Sequence, residues 1–166
     1  TYGAEEVGLV GSHHDADRRN HDDIKAIVNN DGVVRSRTLR CHAHGFDDLL
    51  AAAERVGDRM AHPVDATPEL NPHSDHWPYV QWGVPGYHVR ADTGDRGRGW
   101  GHTHADTLDK LEVRNLREQA ILVTELVADL AGDETTVARR EPGAVADQLA
   151  AEDLAEGMRV IGDWPY

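Results

Sequence analysis

Cysteine and lysine are scarce in this sequence of 166 residues. Cys41 is the sole cysteine, which excludes an intrachain disulfide and a zinc site built from several thiolates. Lys25 and Lys110 are the only lysines, whereas Asp and Glu total 30 and the formal net charge is -13. Such a charge is a poor match for a nucleic-acid backbone or an anionic lipid surface, so we expect neither as a partner.

Long apolar runs are also missing, since no stretch approaches the roughly 18 residues of a membrane span, and no secretory signal pattern is visible. A single cysteine is compatible with the cytoplasm, which is the expected location. The excess of acids over lysines resembles proteins of extreme halophiles. Because the sequence opens at Thr1 and not at Met, we expect that the N-terminal part of a larger protein precedes it.

Short apolar runs alternate with segments of helical periodicity. This pattern predicts strands over 24–31, 38–44 and 86–90, and an amphipathic helix over 46–60. A second helix is predicted over 115–130, and Gly132 follows it as the C-cap. Its predicted buried stripe is formed by Leu116, Ala120, Val123, Val127 and Leu130. The alternation predicts an α/β fold around a central mixed or parallel sheet.

Two stretches between these elements have the composition of loops, residues 65–77 with two prolines and residues 91–107 with four glycines. Residues 132–143 are interpreted as a charged hinge, and 144–160 as a further helical piece. The predicted organisation is a main unit over 1–131 followed by a hinge and helical tail over 132–166.

Eleven histidines invite a metal interpretation, but most have a simpler one. His13 and His14 fall on a predicted surface helix, and His21 and His88 have no partner nearby in the sequence. His42 and His44 are two positions apart, so they lie on the same face of the predicted strand. Two histidines without a third ligand are more often structural than metal-binding. Cys41 is interpreted as a small buried apolar residue.

Three short segments carry residues suited to chemistry. Glu5 and Glu6 are adjacent, so their side chains point in different directions, and one can bind a cation while the other faces water. Asp31 ends a buried strand, where α/β proteins place their ligands. A glycine-rich approach leads into His102, which Asp106 follows four residues later.

Taken in order, these segments resemble the zinc-dependent aminopeptidase family of the peptidase M28 type. The resemblance covers residues 1 to about 131 and rests on five pieces: the Glu-Glu segment Gly3–Ser12, the strand end Ile27–Asp31, the loop Ser74-Asp75-His76, the turn Gly83-Val84-Pro85, and His102–Thr107.

The resemblance implies a three-layer zinc-exopeptidase fold and removal of N-terminal residues from peptides by a site with two zinc ions. It implies that Glu5 is the general base, that Glu6 and His102 hold one zinc, and that Asp31 holds the other. Asp106 would orient the His102 ring, as ligand imidazoles usually require. The substrate side of the site would be lined by Ser74, Asp75 and His76.

The sequence departs from the family pattern in two ways. A His and a bridging Asp that lie upstream of the Glu-Glu pair in the family are not among these 166 residues. A Tyr that precedes the final His in some members is replaced by Gly101. Two alternatives therefore stay open: a non-catalytic binding domain of the same fold, and a single-zinc acyltransferase of the glutaminyl-cyclase kind.

Overall fold

A computed structural model describes residues 1–97 and 99–166, and its strands and helices alternate as expected for an α/β protein. The strands are β1 (Ile27–Asn30), β2 (Leu39–His42), β3 (Val64–Thr67) and β4 (Gly86–Ala91). The helices are α1 (Val10–Ala16), α2 (Asp47–Met60), α3 (Trp77–Val80), α4 (Val113–Ala131), α5 (Pro142–Ala151) and α6 (Ala155–Ile161). Residue 98, within the predicted loop 91–107, lies outside the described residues.

The sheet is mixed, which confirms one of the two predicted forms. Its strand order is β1-β4-β2-β3. β1 runs parallel to β4, and β2 runs parallel to β3, but β2 and β4 are antiparallel. The carboxyl ends of β1 and β4 consequently meet at the same edge, where the Asp31 amide donates to the Val89 carbonyl at 3.0 Å.

The two faces of this sheet differ in chemistry because side chains alternate along each strand. One face presents Leu39, Cys41, Tyr87 and Val89, all of them fully buried in the main core. It packs against helices α2 and α4. The register places polar side chains together on the other face: Asn29, Arg40, His42, His88 and Arg90.

Helix α2 confirms the predicted helix over 46–60, with Phe46 just before its first turn. Leu49, Ala53 and Val56 are fully buried along one face, as their spacing predicts.

Helix α4 confirms the second predicted helix, but its buried face is not the predicted one. Leu130 is buried as predicted, but Leu116 and Val127 are 45% and 47% exposed, and the other buried residues are Gln119, Leu122 and Leu126. Gln119 is polar and was not part of the predicted stripe. Its amide is satisfied inside the protein, however, accepting from the Val34 amide and donating to the Ser36 carbonyl at 2.7 Å.

Strand β3 and helix α3 both fall in or beside the segment 65–77 that was predicted as a loop. Four residues of β3 pair in parallel with β2, with Val64 opposite Leu39 and Thr67 opposite His42. The loop prediction was wrong here, because so short a run between prolines carries no clear periodicity.

The C-terminal tail forms two helices and not the single one predicted over 144–160. The helix is interrupted near Asp153, which takes the left-handed conformation with φ 59°. Val145, Leu149 and Met158 join the main core. The preceding segment is also held to the body, since the Arg140 amide donates to the Gly83 carbonyl at 3.2 Å and the Ala138 amide to the Asp48 carboxylate at 2.7 Å.

In the described part of the chain, none of the helices is both long enough and apolar enough to cross a bilayer.

Candidate metal and catalytic site

The four residues with the most specific predicted roles line one cleft at the edge of the sheet where β1 and β4 end. Its volume is about 310 Å³. Glu5, Glu6, Asp31 and His102 all contribute to its wall, although Glu5 and His102 are 97 positions apart in the sequence. Other residues of the wall include Arg35, Asn71, His73, His88 and Arg90.

Glu6 and His102 are in direct contact. Their Oε1 and Nε2 atoms lie 3.0 Å apart, and the side chains are 71% and 51% exposed. Tight backbone turns set up the approach from both sides: Ala4 precedes the 3-10 turn Glu5–Val7 with φ 59°, and His102 itself has φ 64°. Positive φ is unusual for residues with a side chain.

Glu5 is the less exposed of the two adjacent acids. Burial raises the pKa of its carboxyl above the ordinary value, and the nearby carboxylates of Asp31 and Glu6 raise it further. The His102 ring acts in the opposite direction. A carboxylate with a raised pKa binds a proton more strongly, which suits a general base.

Asp31 is held in place by a chain of hydrogen bonds that leads into the protein. The hydroxyl of Ser74 donates to Asp31 Oδ2 at 2.8 Å, and Asn29 Nδ2 donates to the same hydroxyl at 2.8 Å. Asn29 Nδ2 also lies 3.3 Å from His76 Nδ1. Since Ser74 and His76 are buried, the Asp31 carboxylate has a fixed support behind it.

The hydrogen bonds assign a tautomer to two of the buried rings. His44 Nδ1 lies 2.9 Å from the Gly86 carbonyl, which can only accept, so His44 carries its proton there. His76 Nε2 lies 2.8 Å from the Asn71 carbonyl, which can only accept, and 3.0 Å from His44 Nε2, so His76 carries its proton at Nε2 and both acceptors face it. His76 Nδ1 is left to accept from Asn29. Burial lowers the pKa of His44 to about 3 and that of His76 well below its ordinary value, so both rings are neutral.

Four histidines form a buried cluster behind the cleft, which sequence reasoning missed. The rings of His44 and His76 have centroids 4.6 Å apart, those of His76 and His88 are 5.0 Å apart, and those of His42 and His88 are 5.8 Å apart. The ring nitrogens of His42 and His88 find no hydrogen-bond partner within the described residues. Only the pairing register, with His42 opposite His88, could have shown that these residues meet.

Ser74, Asp75 and His76 do not lie along the wall of the cleft. Ser74 and His76 are 1% and 0% exposed and contact Asp31 and the histidine cluster instead. Asp75 Oδ1 is buried and has no hydrogen-bond partner among the residues described. Contact of these three residues with substrate therefore stays a prediction without support from their placement.

Asp106 lies in a neighbouring cleft that it shares with Arg35 and Gly101. The carboxylate at hydrogen-bonding distance from His102 is that of Glu6. The role of Asp106 in orienting the His102 ring thus stays a prediction.

The donor atoms fit zinc in kind but are incomplete in number. Glu6 and His102 place an oxygen and a nitrogen side by side, and both elements are usual zinc ligands. Asp31 offers a further carboxylate in the same cleft, half-exposed and backed by Ser74. Across residues 1–97 and 99–166, however, no group of three or more His, Cys, Asp or Glu is placed to hold a metal ion alone. Among the described residues, these donors are fewer than a complete zinc site requires.

Peptidase family M28 matches residues 1–127, which is most of the chain. The chain therefore belongs to this family. No curated protein matches it.

Several solved structures share the fold. The LapA aminopeptidase of Legionella pneumophila is 23% identical with a TM-score of 0.65, over 80% of this chain and 38% of that one. An aminopeptidase from Aneurinibacillus sp. strain AM-1 is 26% identical with a TM-score of 0.63, over 85% of this chain and 33% of its own length. A glutaminyl cyclase from an Acidobacteriales bacterium is 26% identical with a TM-score of 0.61, over 74% and 45%. The chain thus spans less than half the length of each.

Proposed function

We propose that this chain carries the general base and part of the metal site of a zinc-dependent aminopeptidase. The observation that carries the proposal is the convergence of Glu5, Glu6, Asp31 and His102 in one cleft. Membership of peptidase family M28 supports the reaction class, and the likeness to aminopeptidases supports the choice of the N-terminal peptide bond.

In this proposal Glu6 and His102 would hold one zinc ion and Asp31 would contribute to a second. When bound, zinc polarises a carbonyl and lowers the pKa of water. The remaining ligands would come from polypeptide outside these 166 residues.

Glu5 would move the proton. Its carboxylate accepts a proton from the attacking water as the hydroxyl group adds to the carbonyl carbon. The same carboxyl then gives that proton to the amide nitrogen as the carbon–nitrogen bond breaks. A raised pKa favours the first transfer, and proximity to Glu6 keeps the carboxyl beside the metal site.

Asp31 would act as a ligand of fixed position. Ser74 donates to its Oδ2 and is itself buried, so the carboxylate keeps its orientation without a rearrangement on metal binding. Supports of this kind commonly contribute about 10- to 100-fold to metal affinity or activity.

The test is hydrolysis by the full-length polypeptide loaded with zinc. We expect release of free amino acids from peptides with a free N-terminal amino group, and no release from the same peptides after N-terminal acetylation. Equal cleavage of unblocked and acetylated peptides would contradict the aminopeptidase assignment. Absence of cleavage in both, with zinc bound, would favour the non-catalytic binding domain.

The second candidate is cyclisation of N-terminal glutamine, which the likeness to a glutaminyl cyclase favours. The two reactions give different products from one substrate. If a peptide that begins with Gln is hydrolysed, it yields free glutamine. If it is cyclised, it yields ammonia and a peptide that is lighter by the mass of ammonia and has no free N-terminal amino group. Mass spectrometry of the products separates them.

A further inference from the structure

Arg90 lines the same cleft as Asp31. It lies on β4 and on the polar face of the sheet, where it is half-buried and contributes to the cleft wall. Its Cβ would be 3.8 Å from a Cβ built on Gly32, which places the root of the side chain next to the turn that carries Asp31.

Two carboxylates near this part of the sheet, those of Asp65 and Asp92, are paired with another arginine. Arg40 lies directly opposite Arg90 on β2. Its guanidinium forms ion pairs with Asp65 at 2.6 Å and with Asp92 at 3.4 Å. Two positive charges directly opposite each other on paired strands repel. The charge of Arg40 is neutralised by its ion pairs, whereas that of Arg90 is not.

The guanidinium of Arg90 forms neither a side-chain hydrogen bond nor an ion pair with any residue in the described ranges 1–97 and 99–166, although its backbone is paired in β4. Carboxylates pair with arginines at several other positions: Arg19, Arg37, Arg55, Arg59 and Arg114. A half-buried cation in the cleft that lacks such a partner is a natural receptor for an anionic ligand.

Arg35 brings a second guanidinium to the same cleft. Its Cζ and Nη1 atoms lie 2.8 and 2.9 Å from the position that a Cβ on Gly101 would occupy. The missing side chain of Gly101 thus makes room for the guanidinium, next to His102 in the sequence. Arg35 lines the cleft together with Glu5, Glu6 and Arg90.

We infer that Arg90 and Arg35 bind a carboxylate of the substrate, so that the cleft selects peptides with an acidic group close to the scissile bond. The inference rests on the proposed peptide hydrolysis. A guanidinium presents several N–H donors in a planar fork that matches a carboxylate, and its charge does not depend on pH in the working range. The carboxylate belongs either to an acidic side chain of the peptide or to the C-terminus of a very short peptide.

Two substrate pairs distinguish these sources with the zinc-loaded, full-length polypeptide. Glu and Gln p-nitroanilides differ only in the side-chain carboxylate. Leu-Gly and its C-terminal amide differ only in the terminal carboxylate. We expect kcat/KM to favour the acidic member of one pair by about ten-fold, the usual size of a charge-assisted hydrogen bond.

Arg90→Gln should reduce that ratio about ten-fold, and Arg35→Gln should reduce it as well. The matched control is Arg114→Gln on the exposed surface of α4, which should leave the ratio as it is. A purely structural role for Arg90 would change both members of a pair alike and keep their ratio. No preference in either pair, or a ratio unaffected by Arg90→Gln, would overturn the inference.

A binding measurement separates this inference from the proposed function. Titration of the 166-residue chain with glutarate and with glutaramide, followed by NMR, needs no catalysis. We expect glutarate to bind about ten-fold more tightly than glutaramide and to lose that advantage in Arg90→Gln. If the full-length polypeptide fails to hydrolyse peptides but this preference is present, the carboxylate site stands and the peptidase proposal fails. Equal binding of the two probes would overturn the carboxylate site itself.

Discussion

The Glu6 carboxylate and the His102 imidazole lie 3.0 Å apart, although 96 positions separate them in the sequence. Two independent turns bring them together, one at the N-terminus and one after β4. Asp31 reaches the same cleft from the end of β1. Three carboxylates and an imidazole are thus collected at one edge of a mixed sheet.

Zinc binding by the 166-residue chain alone should be weak. In the proposed site, Glu6 and His102 would supply two donors to one ion and Asp31 would supply one to another, whereas protein zinc is usually held by at least three side chains. We expect a rapidly reversible complex in isothermal titration, and about ten-fold weaker binding in Glu6→Gln.

The control for this experiment is His104→Gln, which removes an exposed imidazole from the same loop. It should bind zinc like the parent chain. Tight, stoichiometric zinc in the parent chain that His104→Gln abolishes would show that the ligand set is wrong.

Helix α4 provides a test of the core from two neighbouring residues. Leu126 is fully buried, so Leu126→Ala should lower the free energy of unfolding by roughly 2–5 kcal/mol. Val127 is 47% exposed, and Val127→Ala should stay within about 0.5 kcal/mol of the parent. Urea unfolding measures both. Similar losses in the two variants would mean that the helix is rotated from the orientation described.

Much of this fold could be predicted from the sequence because its apolar residues are clustered. β1, β2, β4 and α2 were predicted near their observed bounds, since each has a periodicity that only one element type satisfies. Helix α4 was predicted too, but its face was wrong. The observed buried face includes Gln119, whose hydrogen bonds to the Val34 and Ser36 backbone join it to a distant part of the chain, and residue spacing along the helix carries no information about such contacts.

The cleft residues that could be predicted are those that lie in recognisable segments in a fixed order along the sequence. Glu5, Glu6, Asp31 and His102 were singled out by their segments, and the fold brings them together. The hydrogen bonds from Ser74 to Asp31 and from Asn29 to Ser74 could not be predicted, because they depend on the path of a loop. The contact between His44 and His76 depends on that path and on strand register. The placement of Arg35 against Gly101 depends on the same kind of long-range packing.

Acid should destabilise the protein through its buried imidazoles. Burial lowers the pKa of His44 to about 3, while an imidazole in the unfolded chain titrates near 6.5. Above about pH 6.5 both states are neutral and the full stability is present. As the pH falls below that value toward the folded pKa, the unfolded chain takes up a proton that folded His44 does not, and stability is lost.

Urea midpoints between pH 7 and pH 5 measure this effect, in a window where most carboxyl groups stay ionised. His44→Gln should flatten the pH dependence by at most about 1.4 kcal/mol per pH unit, whatever its effect on stability at neutral pH. His104→Gln, at an exposed position, should retain the parent slope. An unchanged slope in His44→Gln would contradict a neutral, buried ring.

Salt should stabilise this acidic chain. With 30 acids and two lysines, mutual repulsion opposes the folded state most strongly in dilute buffer, where the Debye length is long. We expect the Tm to rise as NaCl increases from about 0.1 M to about 2 M, where the Debye length falls to about 3 Å or less. A Tm that does not change over this range would remove the resemblance to halophilic proteins.

The most direct test of the account compares Glu5→Gln with Glu6→Gln in the zinc-loaded, full-length polypeptide, measuring kcat and zinc content together. Glu5→Gln keeps the size of the side chain but cannot accept a proton, so kcat should fall by roughly 100- to 10,000-fold with little loss of zinc. Glu6→Gln removes a ligand charge beside His102, so zinc content and activity should fall together. Full activity in Glu5→Gln, or equal zinc loss in both variants, would contradict the division of roles between the two adjacent acids.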